Sequence, residues 1–209
     1  MAEGLRYGPL GPTAIHLCID MQRLFGPGLP WAVPWMEEVL PKVEAIARHH
    51  ADRTVFTRFI PPHRPEDANG AWRRYYQRWS EVTGEVLDPV HLGLHPALER
   101  FSPPARIVDK AVYSPWTEGA LDKLLLGTGV DTIVISGGET DVCVLGAVIG
   151  AVDRGYRVVL ASDAICSSAD QTHDALMTLY QERFGEQIET APTEAILDAW
   201  AQASSSVSQ

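Results

Sequence analysis

Three residues that lie far apart in the sequence could together carry out an acyl transfer: Asp20, Lys110 and Cys143. A cysteine thiolate is a strong nucleophile, and a nearby ammonium group stabilises it. A carboxylate paired with that ammonium could take the thiol proton and later deliver it to a leaving nitrogen. Taken singly, each residue has a structural explanation, as a turn acceptor, a solvated amine or a buried thiol. Their combination predicts a nucleophilic site.

The sequence just before Cys143 favours this role. With Thr140 as the N-cap, Cys143 takes the third position of a helix, where free N–H groups and the helix dipole favour thiolate over thiol. The preceding Gly137 and Gly138 leave the backbone free to aim N–H groups at a developing oxyanion. An ordinary tight turn would use the same glycines.

These residues need a scaffold that brings distant segments together. Short apolar runs alternate with helical segments, and they predict strands at 13–20, 53–60, 105–112, 131–138, 157–164 and 185–191. This alternation predicts an α/β fold, a three-layer α/β/α arrangement around a mostly parallel six-stranded sheet with Rossmann-type layering. Asp20 and Lys110 then lie near the carboxyl ends of their strands, and Cys143 follows the fourth strand. Sheets of this kind bind ligands at that edge.

Helical periodicity and capping residues predict helices at 35–50, 67–79, 117–126, 140–154, 168–184 and 193–203. Pro41 lies inside the first of these segments and predicts a kink or the start of a second helix. We expect the 209 residues to form a single domain. Residues 61–104, rich in proline, arginine and aromatic residues, predict an excursion from the sheet that acts as a lid, a subunit contact or a plain surface loop. Residues 204–209 predict a frayed tail.

Composition excludes several kinds of partner. The chain has 17 Lys and Arg residues against 27 Asp and Glu, a formal charge of -10, which disfavours nucleic acid. No apolar run approaches the roughly 20 residues of a membrane span, and the N-terminus lacks the pattern of a signal peptide. We therefore expect a cytoplasmic protein with a small-molecule substrate and no membrane partner. Three cysteines without CxxC spacing argue against a disulfide framework or a zinc knot.

The segments around the three candidate residues resemble the motifs of the isochorismatase-like cysteine hydrolases. CIDMQRLF (18–25) resembles the family's D-x-Q-x-x-F segment, and DKAVYSPW (109–116) resembles its lysine segment K-x-x-x-S-x-[FW]. SGGETDVCVLGAVIGAVDRGYRVVLASDA (136–164) resembles the nucleophile block G-x-x-T-x-x-C-V and the strand that follows it. The motifs occur in family order, and the matching strand and helix pattern covers roughly residues 10–200.

The resemblance implies a Cys-Lys-Asp triad with Cys143 as nucleophile, Lys110 as electrostatic partner and Asp20 as proton shuttle. It also implies a cis peptide bond between Gly138 and Glu139, with the N–H groups of Glu139 and Cys143 as oxyanion donors. Zinc-dependent nicotinamidases of the family carry D-x-H after the second strand, whereas this chain reads FTRFIPPHRPED (56–67). We therefore expect no metal site and no cofactor.

Together, the residues and the resemblance predict a metal-independent amidohydrolase. It would cleave the C–N bond of a small amide, ureido or carbamoyl substrate through an acyl-enzyme on Cys143. One alternative is a vinyl-ether-cleaving isochorismatase-type hydrolase, although those enzymes lack the nucleophilic cysteine. Another is a non-catalytic small-molecule binding or scaffold protein of the same fold. A nucleotide-dependent oxidoreductase would suit the sheet, but no G-x-G-x-x-G follows the first strand.

Residues that could bind the rest of the substrate are predicted from position and type. Arg58 ends the second strand and could hold a substrate carboxylate through a bidentate pair, or form a structural ion pair with a surface acid. Seven aromatic residues could wall a substrate pocket, or pack in the core or a subunit interface: Phe25, Trp31, Trp72, Tyr75, Tyr76, Trp79 and Trp116. The family resemblance and the aromatic residues of 61–104 predict a homo-oligomer, a dimer or tetramer.

Overall fold

Six strands form one sheet in the computed structural model, which describes the backbone of residues 5–206 and the side chains of residues 5–201. The strands are β1 Ala14–Ile19, β2 Thr54–Phe59, β3 Arg106–Lys110, β4 Thr132–Gly138, β5 Arg157–Cys166 and β6 Ile188–Ala191. Their order is β3-β2-β1-β4-β5-β6, and every neighbouring pair is parallel. The predicted mostly parallel sheet is confirmed, and in the described residues it is wholly parallel.

The burial of each strand follows its place in the sheet. β1 and β4 lie at the centre, and all of their residues are buried, which explains why their sequences are nearly continuous apolar runs. β3 lies at one edge and buries only Val108 and Lys110. A lysine buried on an otherwise exposed strand is unusual, and it marks the side of the sheet where the candidate site lies.

Seven helices cover the sheet within the described residues: α1 Met36–His49, α2 Ala71–Arg78, α3 Pro96–Glu99, α4 Ala120–Leu125, α5 Cys143–Asp153, α6 Asp170–Arg183 and α7 Thr193–Ser206. Side chains of α1, α3 and α7 form the apolar core on one face of the sheet. Side chains of α2, α4, α5 and α6 contribute to the core on the other face. This is the predicted three-layer α/β/α fold.

Helix α1 runs through Pro41 without a break, contrary to the predicted second segment. Pro41 removes one backbone hydrogen bond, but its ring lies on the exposed side of the helix. The carbonyl group that loses its partner there can turn toward water. On the opposite side, Leu40, Val43 and Ile46 pack into the core and hold the helix together.

The excursion between β2 and β3 contains α2, α3 and three short 3-10 turns rather than a single helix. It exposes Val86 and Val90. Its role as a lid or a subunit contact, and the homo-oligomer, stay predictions. Helix α7 continues to Ser206, through the first part of the predicted tail, and 207–209 lie outside the described residues. No helix in residues 5–206 has the length and apolar character needed to cross a membrane.

Candidate active site

The strand order creates a crevice between β1 and β4. The chain moves outward from β1 through β2 to β3, then returns to place β4 on the other side of β1. Loops leaving β1 and β4 therefore diverge, and ligands bind in such crevices at the carboxyl ends of the strands. Asp20 directly follows β1, and Cys143 begins the helix after β4. Two of the three predicted residues thus flank this crevice.

Lys110, the third residue, reaches the crevice from β3 at the edge of the sheet. Its Nζ lies 2.6 Å from Oδ2 of Asp20 and 3.5 Å from Sγ of Cys143. It also donates to the carbonyl oxygen of Val112 and lies 4.8 Å from the centre of the Phe59 ring. All three predicted residues are buried, with Asp20 1% exposed, Lys110 3% and Cys143 6%. The structure therefore brings together residues that are 33 to 123 positions apart in sequence (143 − 110 and 143 − 20).

Burial and neighbouring charges set the protonation of this group. Burial lowers the pKa of Lys110, but the charge of the paired Asp20 and the hydrogen bonds to Asp20 and Cys143 outweigh it, so the pKa is raised. Burial raises the pKa of the Cys143 thiol well above its usual value, and the charge of Asp20 raises it further. The Lys110 ammonium lowers it only in part. Burial and the Asp20 charge thus oppose the thiolate that the helix start favours.

Two polar residues that sequence reasoning missed fix Asp20 and the loop after it. The Thr57 hydroxyl donates to Oδ1 of Asp20 at 2.5 Å and accepts the backbone N–H of Asp20 at 3.1 Å. The Gln22 side chain accepts the backbone N–H of Phe59 and donates to carbonyl oxygens of Phe59 and Leu92. Both side chains are fully buried. Gln22 lies in the quoted D-x-Q segment, which was the signal that could have identified it.

The turn between β4 and α5 depends on Gly137. Its φ is +105°, and an added Cβ would collide with the backbone of Ile19 in the adjacent strand, so only glycine fits. The Gly138–Glu139 peptide bond is cis. Within residues 5–206, the backbone N–H groups of Glu139 and Cys143 donate to no protein acceptor. The segment that carries the thiol therefore offers two free backbone donors.

Helix α5 begins at Cys143, so the prediction that Thr140 is its N-cap was wrong. Thr140 is instead held by the end of β5, because its N–H and its hydroxyl both donate to the carbonyl oxygen of Cys166. The N–H groups of Val142 and Val144 both donate to the carbonyl oxygen of Glu139. This extra turn places Cys143 at the very start of the helix, where its own N–H is left free.

A cavity of about 320 Å³ opens onto the thiol. Its aromatic wall consists of Phe25, Trp31, Phe59, Tyr75, Trp79 and Tyr113. Pro30, Ala32, Glu139, Val142, Cys143 and Ser168 complete the lining. Trp31 lies within 6.4 Å of the Phe25, Phe59, Tyr75 and Trp79 ring centres. Four of the seven aromatic candidates therefore line this cavity: Phe25, Trp31, Tyr75 and Trp79.

The predicted Arg58 anchor requires a correction, because Arg58 does not line this cavity. Side chains alternate along β2, so Thr57 and Phe59 point to the face that carries the site and Arg58 points to the opposite face. There it forms a bidentate pair with Asp109, its direct partner on β3, at 2.7 and 2.8 Å. Arg58 is therefore the structural ion pair that the sequence left open as the alternative.

Trp72 and Trp116 also lie outside the cavity lining, contrary to their predicted role. Trp72 packs against Tyr76 and Tyr113 and lines a separate surface pocket beside Lys110. Trp116 is 3% exposed, donates its indole N–H to the carbonyl oxygen of Ala147, and fills the space left by Gly150 in α5. Trp116 therefore positions the helix that carries Cys143 without reaching the substrate side.

The other two cysteines lack the surroundings of Cys143. Cys18 and Cys166 are fully buried, and burial raises the pKa of both thiols, that of Cys166 to about 12. Cys166 donates to the carbonyl oxygen of Gly137, and within the described residues neither thiol forms a hydrogen bond with a lysine, an arginine or a histidine. In the same part of the chain, no three His, Cys, Asp or Glu side chains are grouped so as to hold a metal ion.

Comparisons with known proteins identify the family and the fold. A family model described as the isochorismatase domain matches residues 14–192. A maleamate amidohydrolase from Pseudomonas putida is 25% identical over 193 residues, covering 88% of this chain and 86% of that protein. A cysteine hydrolase structure from Pseudomonas syringae is similar with a TM-score of 0.74 and 24% identity, covering 97% of this chain and all of that one. The N-carbamoylsarcosine amidase structure from Thermoplasma acidophilum is similar with a TM-score of 0.69 and 19% identity, covering 87% of this chain and 96% of that one.

Proposed function

Because the chain belongs to the isochorismatase family, we propose that it is a metal-independent cysteine hydrolase that cleaves the C–N bond of a small amide, ureido or carbamoyl compound. The observation that carries this proposal is the position of Lys110 Nζ, within hydrogen-bonding distance of both Asp20 and Cys143. The relatives named for maleamate and N-carbamoylsarcosine hydrolysis point to the same class of bond.

In the first step, the Asp20 carboxylate accepts the Cys143 proton as the sulfur attacks the carbonyl carbon of the substrate. Because burial and the Asp20 charge raise the pKa of the thiol, an adjacent proton acceptor favours the attack. Asp20 is suited to it because its charge and its hydrogen bond both act on the thiol. Lys110 stays charged and stabilises the sulfur as its negative charge develops.

The tetrahedral intermediate then carries a negative oxygen. The free N–H groups of Glu139 and Cys143 are suited to stabilise it, because they need not abandon another acceptor. When the C–N bond breaks, Asp20 returns the proton to the leaving nitrogen, and the acyl group remains on Cys143 as a thioester. Water then attacks the thioester and gives its proton to Asp20. The acid leaves, and the thiol is restored with that proton.

The test is a hydrolysis screen over small primary amides, ureido acids and carbamoyl amino acids, with released ammonia as the readout. We expect turnover that persists after exhaustive treatment with EDTA or dipicolinate. Intact-mass measurement of the quenched reaction should show an adduct equal to substrate minus ammonia on wild type and none on Cys143→Ala. Loss of activity on chelation, restored by Zn²⁺ or Mn²⁺, would contradict the metal-independent chemistry.

A further inference from the structure

The cavity has an unusual charge for a site that hydrolyses small polar molecules. Among the residues that line it, as far as the structure describes the chain, there is no lysine, arginine or histidine, and the one carboxylate is that of Glu139. Lys110 lies behind the thiol, and its ammonium is already paired with Asp20 at 2.6 Å. A substrate entering the cavity therefore meets aromatic rings and one negative charge that no cation in the lining offsets.

The Glu139 carboxylate is held in place rather than free to swing into solvent. Its Oε2 accepts the backbone N–H of Ser168 at 2.8 Å and the Ser168 hydroxyl at 2.5 Å. No described residue donates a hydrogen bond to its Oε1. One oxygen thus fixes the group, and the other keeps its lone pairs for a donor or a positive charge on the ligand.

We propose that the Glu139 side chain selects substrates by charge. The substrate is an amide whose non-reacting part is apolar or aromatic and either uncharged or cationic, and carboxylate-bearing amides are rejected. This inference rests on the proposed function, because it concerns the substrate of that same site. It also separates this chain from the relative named for maleamate, an amide that carries a carboxylate.

Two physical effects support this selection. Two carboxylates repel each other, and the repulsion grows as the effective dielectric constant of the cavity falls below that of water. The ring faces attract flat apolar groups through stacking and cations through their quadrupoles. A neutral or positive ligand therefore gains from the same surface that rejects an anion.

Binding can be tested without turnover by using Cys143→Ala and three benzamides that differ in one substituent. The probes are 4-methylbenzamide, which is neutral, 4-(aminomethyl)benzamide, which is cationic, and 4-carbamoylbenzoate, which is anionic. Affinity is measured by calorimetry, or by quenching of the Trp31 and Trp79 fluorescence. We expect the cation to bind at least as tightly as the neutral amide, and the anion at least tenfold more weakly.

A second variant assigns the effect to Glu139. Glu139→Gln in the same background removes the charge but keeps an oxygen that can accept both Ser168 hydrogen bonds. We expect it to bring the anion within about threefold of the neutral probe. Glu182→Gln is the matched control, because Glu182 is exposed on α6 and does not line the cavity, so the tenfold difference should persist.

The outcomes distinguish this inference from the proposed function. Equal or tighter binding of the anion, an unchanged preference in Glu139→Gln, or no binding of any probe overturns the charge selection. The hydrolase proposal survives those results if wild type still releases ammonia from another amide. If the probes bind in the expected order and wild type hydrolyses none of the amides, ureido or carbamoyl compounds, the charge selection stands and the proposed function fails.

Discussion

The two sides of the cavity are built differently. The catalytic floor, Asp20, Lys110 and Cys143, is attached to strand ends and a helix start, and its side chains are almost fully buried. Most of the aromatic wall comes from the loop after β1 and from the excursion, and several of its rings are only partly buried. The sheet therefore fixes the reacting groups, while connecting segments shape the space around the substrate. Changes to the floor should alter rate, and changes to the wall should alter selectivity.

The sharpest test of the floor is Cys143→Ala. We expect turnover to fall below detection, because an acyl-enzyme requires the sulfur, while near-UV circular dichroism stays that of wild type. Cys18→Ala is the matched control, since Cys18 is likewise a buried cysteine but packs in the core on the other face of the sheet, and its kcat should stay within a few-fold of wild type. Activity above a few per cent in Cys143→Ala would remove the nucleophile assignment.

Asp20→Asn tests the proton shuttle, with two readouts that should move in opposite directions. We expect kcat to fall by about 10²- to 10⁴-fold, because the general base and acid is lost. The charge of Asp20 raises the pKa of Cys143, so its removal lowers that pKa and increases the thiolate fraction at pH 7. Alkylation of Cys143 by iodoacetamide should therefore be faster in the variant than in wild type.

The pH dependence of labelling follows from the same shift. In wild type, alkylation should accelerate by about tenfold for each pH unit below the raised pKa, because the thiolate is the reactive form. The Asp20→Asn profile should be displaced to lower pH. Slower labelling together with lost turnover and native circular dichroism would show that Asp20 does not act on the thiol as the structure indicates.

The residues of the catalytic floor could be predicted from the sequence because each is recognisable from the segment that carries it. A polar residue at the end of an apolar strand, and a cysteine after a glycine-rich turn, can be recognised one segment at a time. Thr57 was missed because its contact with Asp20 depends on the register between β1 and β2, which periodicity does not specify. For the wall, Trp31 and Trp79 were among the aromatic candidates, but their contact could not be predicted, because they meet across segments whose packing is set by the folded loops. Trp72 and Trp116 are aromatic, as the predicted pocket requires, but the fold places both outside the cavity lining.

For the wall, we expect Trp79→Leu to raise KM by about tenfold, with kcat within threefold of wild type. The indole contributes ring surface to the cavity but lies away from the proposed reacting groups, so ground-state and transition-state binding should weaken together. Leu126→Ala, at a residue that is 84% exposed, should leave both constants unchanged. A large fall in kcat for Trp79→Leu would contradict the claim that floor residues set the rate and wall residues set only substrate binding.

Arg58→Met should have the smallest effect, although Arg58 lies between two residues that reach the site. Thr57 contacts Asp20 and Phe59 lines the cavity, but the alternation of β2 turns the Arg58 guanidinium toward Asp109 on the other face. Asp109 keeps about half of its side chain exposed, so loss of the pair leaves no buried charge without a partner. Exposed ion pairs contribute about 0–1 kcal/mol, and we expect the free energy of unfolding in urea to fall by no more than that. KM should be unchanged for neutral, cationic and carboxylate-bearing amides alike. A selective rise in KM for the carboxylate-bearing amide would contradict this expectation. It would show that Arg58 reaches the substrate after a rearrangement on binding, although its side chain points to the opposite face of β2 in this structure.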